Sequence, residues 1–96
     1  MKFRNLALAA SLGLCATAPA LAVTEIQWWH SMDGALETWV NDLAKDFNSK
    51  QADYKVVPVY KGQYPEALTA AIAAFREGPT PHILQAKDVA TATMMA

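Results

Sequence analysis

Three short segments collect the side chains of this chain that are equipped for chemistry: His30-Ser31-Met32-Asp33-Gly34, Lys61-Gly62-Gln63-Tyr64 and Lys87-Asp88. Between them they hold hydroxyls, an imidazole, acidic groups and two lysines. That mixture suits hydrogen bonds to a small polar ligand. His30 has the chemistry of a general base. No serine–histidine–acid motif accompanies it, however, and no G-x-S-x-G elbow is present, so it reads as a structural histidine at a strand end. His82, just after Pro81, reads as a surface residue. Asp88 can hold a ligand hydroxyl, cap the helix that follows it, or do both. Tyr64 is either a ligand contact or a packing aromatic. Trp28 and Trp29 serve the core or an interface, although a tryptophan also stacks on a sugar face. Gly62 lacks the flanking pattern of a phosphate loop or a dinucleotide fingerprint.

These segments must be positioned by regular elements, and the hydrophobic pattern supplies them. Thr24–His30 alternates and then turns fully apolar, as a strand entering a covered sheet does. From Ala35 to Ser49 the residues Leu36, Trp39, Val40, Leu43 and Phe47 recur at helical spacing, with Ser31 or Asp33 as the cap. Tyr54–Tyr60 is a second strand rich in valine and tyrosine. Its Pro58 lacks a ladder donor and places it at an edge or at a bend. A second helix runs from Pro65 to Glu77 and stops at Gly78. Leu68, Ala71, Ile72 and Phe75 lie on its buried face. His82–Ala86 is a third strand, and Val89–Ala96 begins a third helix. The order β-α-β-α-β-α predicts an α/β fold with a parallel sheet and right-handed crossovers. In such a sheet the three polar corners share the edge formed by the C-terminal strand ends, where open α/β sheets bind ligands. Tyr64 sits there beside the unpaired N–H groups of a helix start, which favour an anion.

The chain has 96 residues, a formal net charge of −1 and a single cysteine, Cys15. Its first 22 residues read as an export signal. Lys2 and Arg4 precede an apolar run from Leu6 to Leu14, and Ala20-Leu21-Ala22 offers the small residues of a cleavage site after Ala22, or alternatively after Ala20. The run is shorter than the roughly 20 apolar residues of a membrane span. Cys15 reads as an apolar filler of the signal rather than a lipid acceptor, because Leu14 precedes it where a small residue is required. A chain beginning at Val23 would hold no cysteine, which excludes disulfides and Cys/His metal clusters. Removing Lys2 and Arg4 leaves six basic residues against nine acidic ones, a net charge of −3 with no basic patch, and nucleic acid is not an expected partner. The sequence stops on Thr93-Met94-Met95-Ala96, inside the expected third helix. The sheet asks for more chain than these residues provide, so they read as part of a larger unit.

Five motifs carry a family resemblance. Trp29-His30-Ser31-Met32, Tyr54-Lys55-Val56-Val57-Pro58, Tyr60-Lys61-Gly62-Gln63-Tyr64, Ala73-Ala74-Phe75-Arg76, and Ile83-Leu84-Gln85 followed by Ala90–Ala96 resemble the extracellular solute-binding proteins of ABC importers. The last of them is most similar to members that bind glycerol 3-phosphate. The resemblance implies a two-lobed periplasmic protein, monomeric at full length, that hands a polyol phosphate or its diesters to the membrane subunits of a permease. It implies no catalysis, cofactor or metal. Residues 1–22 would be the signal and residues 23–96 the N-terminal part of the first lobe. In that family the second tyrosine of the Y-K-G-x-Y motif contacts the ligand, which implies a ligand-binding role for Tyr64. A family glutamate before the V-x-T-A-T-M-M-A run is replaced here by Asp88, one methylene shorter, which implies a ligand contact reached by a small shift or a bridging water. A binder of unphosphorylated sugars is the alternative within the family, and a fragment without binding function is the alternative outside it. A secreted hydrolase built on His30 and Asp88 is the reading from another class, and no nucleophile accompanies that pair.

Overall fold

The computed structural model describes Gly13 and residues 22–96. The expected export signal and Cys15 lie outside the described residues, Gly13 and Ala22 excepted. The elements are β1 (Thr24–His30), α1 (Gly34–Lys50), β2 (Tyr54–Tyr60), α2 (Tyr64–Glu77) and β3 (Ile83–Leu84). A 3-10 turn (Asp88–Ala90) and α3 (Thr91–Met94) follow. The strands form one parallel sheet in the order β2-β1-β3. The α/β architecture with a parallel sheet is thus the one the pattern predicts.

Side-chain alternation divides the sheet into two faces. Trp28 pairs with Ile83, and both line a groove with Leu43 and Phe47 of α1. Trp29 pairs with Leu84, which lies with Leu68 at one end of α2 and with Ala71 and Ile72 further along it. The two helices therefore cover opposite faces, as right-handed crossovers leaving a strand pair in opposite directions require. The apolar core consists of Trp29, Val40, Ala44, Ala67 and Ala71. The small alanines let the helix backbones approach the strands.

Pro58 is tolerated because of strand parity. Val56 turns its N–H and C=O away from β1, where the Asn48 side chain meets them at 2.8 and 2.9 Å. Pro58, two residues on, shares that parity, so its missing donor faces the open edge. The Asn48 amide also blocks that edge against pairing with another chain.

Four expectations need correction. The third strand is two residues long rather than His82–Ala86, because side chains replace the ladder at both of its ends. At one end the Gln27 N–H donates to His82 Nδ1 (3.0 Å), and at the other the Ser31 N–H donates to Gln85 Oε1 (3.0 Å). The third helix is not one run from Val89. The Asp88 carboxylate accepts the Val89 N–H and the Thr91 hydroxyl donates to the Asp88 carbonyl, local bonds that favour a tight turn over a regular helix start. Neither Ser31 nor Asp33 caps α1 through its side chain. The Asp33 backbone carbonyl instead accepts from the N–H groups of Leu36 and Glu37. Finally, Phe75, expected on the buried face of α2, is 80% exposed among the described residues. On α1 Val40 and Ala44 are buried, and Leu36, Trp39, Leu43 and Phe47 are 45–58% exposed among the described residues.

Candidate functional site

The C-terminal strand ends bring the three polar corners together. The Lys61 N–H donates to the His30 carbonyl at 3.0 Å, which carries the β1–β2 ladder one step beyond the strands. Gln63 Nε2 donates both to Asp33 Oδ2 (3.0 Å) and to Tyr60 Oη (3.2 Å), joining the second corner to the first. Gln85 joins the third, through its side chain to the Ser31 N–H and through its own N–H to the Trp29 carbonyl (2.9 Å). Gly62 makes the tight turn into α2 with φ of 85°, a left-handed value that other residues adopt only with strain.

Tyr64 is the first residue of α2 and Pro65 the second, one step earlier in the helix than the sequence predicts. The shift costs nothing, because any N–H in the first turn lacks an intrahelical partner. Between the start of α2 and the segment from Leu84 to Thr93 lies a cleft of about 550 Å³, lined among others by Tyr64, Leu68, Leu84, Lys87, Val89 and Thr93. Its walls are mainly apolar, with a few polar groups at the strand-end edge, the composition usual for small-molecule sites.

Of the two expected ligand residues, Tyr64 lines this cleft and is half-buried. Its hydroxyl makes no hydrogen bond among the described residues. Asp88 is exposed beside the cleft rather than in its wall, and its Oδ1 accepts the N–H of Val89 at 2.8 Å. Lys87 lines the same cleft as Tyr64.

His30 is on the other face. It is 1% exposed, packs at 6.0 Å from the rings of Trp28 and Tyr60, and accepts the Met32 N–H on Nδ1 at 3.2 Å. A general base must reach a substrate proton, and this imidazole faces protein. A hydrolase resting on His30 and Asp88 therefore finds no shared site. His82 is exposed yet holds β1 to β3 from both of its ends, donating its N–H to the Gln27 carbonyl and accepting the Gln27 N–H on Nδ1. Trp29 is buried, and the ammonium of Lys61 lies 4.0 Å from its ring centroid, a cation–π contact that ties up the second corner's lysine. Ser31 is 6% exposed, and its Oγ has no hydrogen-bond partner among the described residues.

Gln63 and Gln85 are the side chains that tie the corners together, a task their place in the sequence does not announce. Glutamine offers a donor and an acceptor at the end of a flexible stem. No spacing marks one as a tie between loops, since its partner is set by which corners the sheet brings side by side.

These features describe an α/β unit with a cleft at the C-terminal ends of parallel strands. The chain is 55% identical over 93 residues to the sn-glycerol-3-phosphate-binding periplasmic protein UgpB of Yersinia enterocolitica, covering 97% of this chain and 21% of that protein. The proteins of the same name from Salmonella typhimurium and Yersinia pestis are 54% identical over 96 residues and 57% identical over 86 residues. Those alignments cover 100% and 90% of this chain, and 22% and 20% of the relatives. The chain is homologous to these periplasmic binding proteins and spans about a fifth of the length of the curated relatives it matches. No protein-family model matches it.

Proposed function

We propose that the full-length protein is the solute-binding component of an ABC importer, capturing sn-glycerol 3-phosphate and its diesters for delivery to the membrane subunits of a permease. It works as a monomer in the periplasm, without a cofactor and without a catalytic step. Residues 1–22 act as an export signal cleaved after Ala22, and residues 23–96 form the opening part of the first of two lobes. The observation that carries this reading is identity of 54–57% to proteins named for binding this ligand, over nearly the whole chain. The cleft at the start of α2 is consistent with it. Tyr64 offers its hydroxyl to the ligand from the cleft wall. Asp88 offers the carboxylate oxygen left free by the Val89 N–H to a glycerol hydroxyl at the cleft mouth.

Replacing Tyr64 with Phe removes one hydroxyl and little packing. A neutral hydrogen bond contributes about 0.5–1.5 kcal/mol, so glycerol 3-phosphate should bind about two- to ten-fold more weakly by calorimetry. Unchanged affinity would remove Tyr64 from the site. Titration with maltose alongside distinguishes this ligand from an unphosphorylated sugar, and the intact mass of the exported protein reads the cleavage point directly.

A further inference from the structure

The polar groups around the cleft are unequally occupied. At the second corner, Lys61 is committed to the ring of Trp29 and Gln63 to Asp33 and Tyr60. At the third, Gln85 is committed to the Ser31 N–H, and Asp88 accepts the N–H of Val89. The one ion pair among the described residues joins Lys50 to Asp46, far along α1 from this edge. Lys87 is left without an ion-pair or hydrogen-bond partner for its ammonium among the described residues, and it lines the cleft together with Tyr64. No Asp or Glu lines that cleft. Its unpaired polar side chains are an ammonium and two hydroxyls, those of Tyr64 and Thr93. All of them can donate a hydrogen bond, and none carries negative charge.

We infer that Lys87 is a ligand-contacting, specificity-determining residue whose ammonium receives the anionic end of the ligand at the Tyr64 cleft. This rests on the proposed function above and assigns the phosphate's charge partner within the described lobe. The placement fits the chemistry of an ammonium, which recognises phosphate as a compact point charge. It also gives Lys87 and Asp88 complementary tasks on neighbouring residues, the cation toward the phosphate and the carboxylate toward the hydroxyls. The contact is a charge-assisted one, shortened and strengthened relative to a neutral hydrogen bond.

The test is calorimetric titration of the full-length protein with sn-glycerol 3-phosphate, comparing the natural sequence with Lys87→Gln and Lys87→Arg at low salt and at about 0.3 M salt. Lys87 is exposed and its ammonium has no ion-pair or hydrogen-bond partner among the described residues, so thermal melts of all three should coincide. The expected result is an affinity about ten-fold or more lower for Lys87→Gln at low salt, a smaller loss on adding salt than the natural protein shows, and near-natural behaviour for Lys87→Arg. Unchanged affinity and salt dependence in Lys87→Gln overturns the assignment while leaving the transport reading intact. Equal losses in both variants also overturn it, since the cause would then be shape rather than charge. Failure of the natural protein to bind glycerol 3-phosphate at all overturns both.

Discussion

Replacing Gly62 with Ala should disturb the cleft from a position outside its lining. The φ of Gly62 is 85°, and a non-glycine residue in the left-handed region costs about 1–2 kcal/mol. A Cβ built there would also lie 3.1 Å from the Cβ of Glu66, on the first turn of α2. That contact can relax only if the helix start moves by a few tenths of an ångström. The two effects together predict destabilisation of about 2–3 kcal/mol and a displaced Tyr64. The assay is urea unfolding of the full-length protein, paired with calorimetric titration of glycerol 3-phosphate. Gly62→Asn separates the causes, because asparagine accepts a left-handed backbone more readily but carries the same Cβ. It should fall between the natural protein and Gly62→Ala in stability, with a similar loss of affinity. If Gly62→Ala melts and binds like the natural protein, the turn is not held by its backbone conformation and the coupling to Tyr64 is refuted.

Two further outcomes follow from single side chains. Asn48→Ala removes both hydrogen bonds that the amide makes with Val56. At about 0.5–1.5 kcal/mol each, it should lower stability by about 1–3 kcal/mol and speed amide exchange at Val56. Normal exchange there would show that water replaces the amide without penalty. Ser31→Ala deletes a buried hydroxyl with no partner among the described residues. It should leave unfolding stability unchanged or raise it by up to about 1 kcal/mol, whereas a clear loss would reveal a partner for Oγ elsewhere in the full-length protein.

Local chemistry was enough to settle most of the elements. Alternation in Thr24–His30 and Tyr54–Tyr60 matches β1 and β2 residue for residue. The glycine–proline punctuation around Gly62, Pro65 and Gly78 located α2 to within one residue, because these residue types act on their own backbone whatever lies nearby. Motif identity carried the relationship to the glycerol 3-phosphate binders, since it needs no coordinates at all. Burial was not legible in the same way. The stripe Leu36, Trp39, Leu43, Phe47 is a core pattern by periodicity, yet it is 45–58% exposed among the described residues, because periodicity names a face and not the surface that covers it. The length of β3 depends on His82 and Gln85 substituting for ladder carbonyls across more than 50 residues of sequence. The site divides along the same line. The position of Tyr64 at a helix start was readable from the sequence, and the structure places it in the wall of a cleft. Lys87 came to line the same cleft, and Asp88 turned to its own chain, only when the parallel sheet set the third corner beside the second. Hydrogen bonds and charge contacts are decided by distances of a few ångströms between segments that the sequence keeps far apart.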